Sequence, residues 1–453
     1  METQERSRML GTMEMGKLVP KVSIPIMISM LVQALYNVVD GIFVAKYSSA
    51  ALTAVSLAYP IQMLMIAVST GLGVGFNSLI SRKLGEKRAE EARDAAKNGM
   101  FTELCGYVLF LVIGLFFARP FFKLFTPDPE LQALGGEYLS IVCIFSFGLF
   151  FGICFERMMQ ATGNTVLSMA TQLTGAVINI ILDPIMIFGL LGFPAMGIAG
   201  AAIATVIGQI GGMTLGLVLN QAKNVELRLH LKGFRPDKTI LKGILDVGFP
   251  SIIMQSISSV MNVLMNMILL GFGATAVNVL GVYFKLQSFV FMPVFGLSNG
   301  LVAILGYNYG ARMRKRVYDA LKVALIWAAA IMLLGTAAFL LIPETLLSLF
   351  EAGDARDLTA MGVVALRVIS LSFLLAAVGI TISTLFQAVG KGFYSLLMSL
   401  CRQIIVLLPA AWLLSKTGSV DAVWWSFPIA ELFSLTLCLV LYRQVDKTML
   451  QKL

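Results

Sequence analysis

Histidine is all but missing from this sequence: one residue, His230, in 453. A chain so poor in imidazole has little means for histidine-ligated metal or histidine acid–base chemistry, and His230 lies in a polar stretch. Charge is scarce too, at 13% of residues, against about 25% in a soluble domain. Cysteine is sparse and odd in number: Cys105, Cys143, Cys154, Cys401 and Cys438 lie scattered in apolar runs. None has the spacing of a zinc site or a CxxC redox pair, so they read as reduced packing residues. No HExxH or P-loop pattern occurs, and the GxSxG match GLSNG (296–300) lies inside an apolar run rather than at a strand-to-helix turn, so an enzymatic reading has no catalytic motif to stand on. The N-terminal stretch METQERSRMLGTMEMGKLVPK mixes charges and has no short apolar core. No removable signal peptide is expected from it.

Apolar residues fill the space left by these absences. They make up 58% of the chain, and the mean hydropathy is +0.86. Apolarity spread over the whole length excludes an ordinary soluble enzyme and predicts an all-α polytopic membrane protein. Twelve runs are long enough to cross a bilayer: 18–44, 51–79, 95–118, 132–158, 165–190, 196–220, 241–270, 275–306, 322–342, 362–388, 393–415 and 420–442. Breaks such as ARPFFKLFTPDPE and IPETLLSLFEAGD separate them.

Lysine and arginine predict the orientation. With the N-terminus inside, 26 of the 34 fall in or beside cytoplasmic segments and 5 in outer loops. Both termini are then expected in the cytoplasm of a prokaryotic cell, with the chain in the cytoplasmic membrane. The net charge of +9 is accounted for by basic clusters facing anionic headgroups. Nucleic acid is not expected as a partner.

The chain also repeats itself. VSIPIMISMLVQALYN (22–37) matches VGFPSIIMQSISSVMN (247–262), pairing Pro25 with Pro250 and Asn37 with Asn262 at an offset of 225. The same offset pairs Gly71 with Gly296, Gly75 with Gly300 and Gly85 with Gly310, and KLF (123–125) with SLF (348–350). QATGN (160–164) meets QAVGK (387–391) at 227, as one two-residue insertion explains. Six spans per half make the repeat parallel, with an axis along the membrane normal. The expected organisation is a tail at 1–17, a first lobe at 18–220, a cytoplasmic linker at 221–240, a second lobe at 241–445 and a tail at 446–453. Two pseudo-symmetric six-helix bundles of this kind suit a transporter whose halves rock about a central cavity.

Two acids stand out inside the spans. Asp40 is the only formal charge in QALYNVVDGIFVA (33–45), and Asp183 the only one in AVINIILDPIMIFG (176–189). An aspartate at mid-membrane costs roughly 2.5–3.5 kcal/mol on insertion scales, so each needs a reason to be there. Asn37 precedes Asp40 by three residues and Asn179 precedes Asp183 by four, which puts each amide on its acid's helical face. Two carboxylates in low dielectric would share a proton or hold a cation between them. The pattern predicts a cation-coupling centre, against the plainer reading of permanently protonated acids hydrogen-bonded between helices. Pro184 frees a backbone carbonyl one turn earlier and marks a hinge. Glu156 and Arg157 read as an interfacial pair, and Glu431 as the neutraliser of a nearby cation, either Lys285 or Arg402, against the sharper reading that the second bundle offers a positive surface to an anionic or zwitterionic part of a substrate. A substrate cavity is expected from Gln33, Tyr36, Asn37, Gln255, Ser259, Asn262, Asn266, Lys285 and Arg402. The 25 methionines and 30 phenylalanines suit an adaptable apolar pocket or plain packing equally.

Taken together, YNVVDGIF in the first span, NIILDPIMIFG in the fifth and GIAGAAIATVIGQ in the sixth resemble the multidrug and toxic compound extrusion transporters. The likeness runs from about residue 15 to 445. It implies a V-shaped pair of six-helix bundles exporting organic, often cationic compounds against a cation. In the relatives of the DNA-damage-inducible and archaeal type, the aspartates of the coupling site fall on Asp40 and Asp183, the asparagine on Asn179 and the threonine on Thr205. The chain departs from the sodium-driven branch, since GFPSIIMQSISS carries Gln255 where that branch has a glutamate. VYFKLQSFVFMPVFGL (282–297) resembles the staphylococcal exporters of the family.

The resulting expectation is a secondary active multidrug exporter, a monomer without cofactor, coupled to H⁺ or Na⁺. A metal role for Asp40, Asp183 and Asn179 arises only if Na⁺ is the ion. A lipid-linked oligosaccharide flippase of the same superfamily is the alternative, and a membrane-embedded enzyme a distant second.

Overall fold

The computed structural model describes residues 6–230, 232–349 and 356–453. Part of the N-terminal tail (1–5), Leu231 of the linker and Phe350 of the SLF echo lie outside the described residues.

Every predicted span is a helix. The spans are α1 (Met15–Tyr47), α2 (Ser49–Gly85), α3 (Ala89–Phe125), α4 (Pro129–Ile144 with Phe147–Ala161), α5 (Thr165–Phe188) and α6 (Ile198–Lys223) in the first half. The second half holds α7 (Lys238–Leu270), α8 (Ala274–Gly310), α9 (Arg314–Leu341), α10 (Leu358–Ser370 with Phe373–Ala388), α11 (Gly392–Ser415) and α12 (Val420–Lys452). A short helix, Arg6–Thr12, precedes them. α4 and α10 occupy corresponding places in the two halves and are bent by 42° and 47° at their breaks.

Local chemistry explains the ends. Asp128 and Asp237 cap α4 and α7 by accepting backbone N–H bonds from the first turn. Gly189 stops α5 in the left-handed conformation, one that costs a residue without Cβ little. Pro184 does not break α5, which runs helical through it to Phe188. The prolines inside α1, α2, α7 and α8 are likewise absorbed.

The halves meet through the glycines paired in the sequence. A Cβ on Gly71 would lie 2.5 Å from the Ile252 side chain, and one on Gly296 would lie 2.6 Å from Met27 Cα. Ile252 and Met27 are themselves 225 apart. Gly75 abuts the Ile244 carbonyl and Gly248, and Gly300 abuts Ser23, the counterpart of Gly248. The contact between halves is thus a pseudo-twofold crossing of α2 on α7 and of α8 on α1. Burial is densest over Gly71–Leu84 and Val294–Asn308, toward one end of α2 and α8. Leu35, Val38 and Ile42 on α1, and Val260, Val263 and Met267 on α7, stay exposed toward the other end. The bundles therefore close at the end bearing the N-terminus and part at the opposite end.

Candidate functional site

α1 and α5 pack side by side, which brings Asp40 and Asp183 together. Asp183 is fully buried and Asp40 partly so. The two carboxyls are close enough to share a hydrogen bond when one of them carries a proton. Asp40 Oδ1 is buried and accepts no hydrogen bond from any described donor, which leaves a lone pair for a proton or a cation.

Close approach of α5 and α6 builds the other wall. A Cβ on Gly208 would lie 2.7 Å from the Gly175 carbonyl and 3.1 Å from Asn179 Cβ, so only glycine lets these helices meet here. That proximity sets Asn179 beside Thr205. The Asn179 amide nitrogen donates to Asp183 Oδ1 and to Thr205 Oγ1, each at 3.3 Å. The reversed amide still donates to Asp183 at 3.3 Å, and its oxygen then accepts from the Thr205 backbone N–H at 3.2 Å. Tyr36 and Tyr138 lie within electrostatic reach of both acids, and Gln62 donates to the Tyr138 hydroxyl at 3.0 Å.

A cavity of about 160 Å³ leads away from this cluster through the first half. Gln33, Tyr36, Thr70, Asn179, Thr205 and Gln209 line it, and Glu156, Arg157 and Gln172 line its far part. Gln172 Oε1 and Gln209 Oε1 are buried acceptors without a hydrogen-bond donor among the described residues. Glu156 and Arg157 are not the interfacial pair expected: they are 6% and 4% exposed. Gln160 joins them, accepting from Arg157 at 2.9 Å and donating to Glu156 at 2.8 Å and to Ser168 at 3.0 Å. Fully buried Glu103 accepts from Ser69 at 2.8 Å and faces Arg157 electrostatically. The packing of α3, α4 and α5 covers these charges, although Glu156 and Arg157 come near a span's end in sequence.

A second cavity, of about 300 Å³, lies in the second half. Ser258, Asn262, Tyr283, Phe291, Arg402 and Glu431 are among its walls. Arg402 Nη1 pairs with Glu431 Oε1 at 3.3 Å, so the neutralised cation is Arg402.

The residues expected to form one substrate cavity are therefore divided. Gln33 and Tyr36 line the first cavity, and Asn262 and Arg402 the second. Asn266 donates to Asn262 at 3.1 Å. Gln255 accepts from Thr70 at 2.7 Å, joining the halves. Asn37, Ser259 and Lys285 are exposed and line neither cavity. Asn37 does not share Asp40's surroundings, because a three-residue step turns it about 60° away from the α5-facing side of α1. Tyr138, Gln62 and the Gln160–Gln172–Gln209 set escaped the sequence reading. Glutamines recurring inside apolar spans were the available signal. No cluster of three or more His, Cys, Asp or Glu that could hold a metal occurs among the described residues. For Na⁺, the available oxygens are those of Asp40, Asp183 and Thr205, with the Asn179 amide oxygen beside them.

Known proteins share this architecture. Residues 25–185 and 250–413 both match the MatE family model, one match in each half. The multidrug export protein MepA of Staphylococcus haemolyticus is 27% identical over 410 residues, covering 90% of this chain and 89% of that protein. MepA of Staphylococcus aureus strain MSSA476 is 25% identical over 427 residues, covering 94% and 93%. A crystal structure of MATE in complex with MaL6 superposes with a TM-score of 0.93 at 27% identity, covering 98% and 99% of the two chains. A MOP superfamily transporter from Pyrococcus furiosus, described as having reversed binding-pocket polarity, gives 0.92 at 26% identity over 97% and 98%. A twelve-span helical architecture, two matches covering most of the sequence and likeness to export proteins over at least 90% of it lead to one conclusion: this multi-pass membrane protein belongs to the MatE family of transporters.

Proposed function

We propose that the protein exports hydrophobic, often cationic organic molecules by antiport with a cation bound at Asp40 and Asp183. One observation carries the proposal: two carboxyls from separate helices face each other beside Asn179 and Thr205, which themselves line a cavity of about 160 Å³. Two ionised carboxylates about 4 Å apart repel by roughly 4 kcal/mol at an effective dielectric of 20. A proton or cation removes that repulsion, and its departure restores it. Coupling needs no more than that the cation and the organic substrate prefer different arrangements of the halves.

We take H⁺ as the ion, because two carboxyls this close can hold one proton between them. A proton shared by the two acids needs no further oxygen. With both termini in the cytoplasm, the closed end is cytoplasmic and the arrangement is outward-facing, ready to take a proton from outside and to release substrate there. The protein would act as a monomer, with no cofactor and no catalytic reaction.

The experiment is dye efflux from proteoliposomes under separately imposed pH and Na⁺ gradients, wild type against Asp40→Asn. The expected result is export driven by the pH gradient and lost in the variant. Full gradient-driven export by Asp40→Asn would sink the coupling role, and export driven by Na⁺ alone would sink the choice of ion. Flipping of a lipid-linked sugar without dye efflux would favour the flippase reading.

A further inference from the structure

The two cavities are the same place in the two halves. Ser258, Phe291 and Phe295 of the second stand 225 residues after Gln33, Ile66 and Thr70 of the first, and Ile380 stands 227 after Ile153. Their chemistry differs. Arg402 takes the position of Gly175, and Glu431 falls beside that of Thr205. Met265 replaces Asp40, so the second cavity is no copy of the cation site.

We infer that the cavity of the second half is a separate binding site, and that it takes zwitterionic aromatic molecules. This goes beyond the coupling proposal and does not depend on it. Arg402 and Glu431 meet through one nitrogen and one oxygen, with 29% and 13% of their side-chain surface exposed, and both line the cavity. A buried ion pair is seldom more stabilising than apolar side chains of the same volume, so fold stability does not account for it. The backbone is bent to present it: a π-helical turn over Cys401–Val406 puts consecutive residues, Arg402 and Gln403, on the cavity wall. Such turns recur at functional sites.

The pair is neutral as a whole. A lone anion on Arg402 or a lone cation on Glu431 would compete with the partner already there. A ligand bearing both charges engages both ends and leaves neither protein charge unmatched. The walls supply ring contacts, with Tyr283 and Phe427 edge to face at 5.9 Å and Phe291 close by. Offset and edge-on geometries of this kind suit a further aromatic ring, and the volume fits a small organic molecule.

The test is equilibrium binding of naphthylalanine to the purified full-length chain in detergent. Its methyl ester, which keeps only the ammonium, and its N-acetyl form, which keeps only the carboxylate, are measured alongside. The zwitterion is expected to bind at least ~10-fold tighter than either analogue, about the discrimination a single matched charged contact supplies. The double variant Arg402→Gln/Glu431→Gln should lose that preference. Ser258→Phe, which narrows the cavity and leaves both charges in place, should weaken zwitterion binding to a similar degree; it decides the matter if the double variant does not fold. Equal binding of the three compounds overturns the proposal. So does a preference that survives in the folded double variant, or zwitterion affinity undiminished in Ser258→Phe.

Discussion

Gly85 packs against the carbonyl of Tyr307, and its counterpart Gly310 packs against the carbonyl of Arg82. A Cβ on either would lie 2.0 or 2.1 Å from that oxygen. Tyr307 is in turn the counterpart of Arg82, so one contact is made twice about the pseudo-twofold axis. The closed end of the molecule is held there by backbone against backbone.

Neither carbonyl can swing aside as a flexible side chain could. Gly85→Val should therefore oppose closure of this end by about 1–3 kcal/mol, the usual cost of overpacking. That shifts the balance between closed and open by roughly 5- to 150-fold. Ser78, whose hydroxyl donates to the Gln387 carbonyl across the same contact at 2.6 Å, provides the reporter. A single cysteine there should react with maleimide several times faster in the Gly85→Val background, and unchanged labelling would mean that the glycine contact does not govern closure.

Asn179 should matter more than Thr205. Removing its amide, as in Asn179→Leu, leaves Asp183 without a described donor, a loss of about 1–3 kcal/mol for a buried acceptor. Efflux driven by the gradient should fall at least tenfold. Thr205→Val leaves the amide bond to Asp183 in place and should cost only a few-fold. Gly208→Val, which forces Asn179 aside, should resemble Asn179→Leu although it touches neither acid. Initial efflux rates on matched protein amounts would rank the three.

Outside the membrane spans, the short N-terminal helix is tied to the linker where Ser7 donates to Glu226. Burial pushes the Glu226 carboxyl above its ordinary value of 4.5, opposed by the Ser7 bond and by Arg93. A carboxyl raised on folding contributes stability that is fully present below its unfolded value and lost as pH rises through the folded one. Glu226→Gln should therefore flatten this part of the pH profile and raise the melting temperature at neutral pH relative to wild type. Melting curves in detergent from pH 4 to 8 would show it, and a lower neutral-pH midpoint in the variant would contradict it.

The Arg402–Glu431 pair should behave as a unit. Arg402→Gln alone strands Glu431 and should cost roughly 3 kcal/mol, the low end for a buried pair, since this one is partly open to its cavity. Arg402→Gln/Glu431→Gln should recover most of that loss. A double-mutant cycle on thermal stability measures the difference, and simple additivity of the two single changes would show that the charges do not interact.

Much of this was legible before any helix was placed. The length and apolarity of each run were enough for twelve spans, because a bilayer core demands about 20 apolar residues of any helix that crosses it. The 225-residue echo announced two like halves, and its glycine pairs turned out to be the contacts between them. Asp40 and Asp183 announced themselves because a charge inside such a run is rarely idle.

Depth and partnership were a different matter. Glu156 and Arg157 looked interfacial from their distance to a span's end, yet Glu103 of α3 faces Arg157, and Gln160 ties both to Ser168 of α5. One expected cavity became two, since each half folds its own bundle and keeps its own polar lining. Hydropathy is a property of one helix and can be read along a chain. Which faces turn toward each other, how deep a charge sits and what satisfies it depend on helices distant in sequence, and only their packing settles those questions.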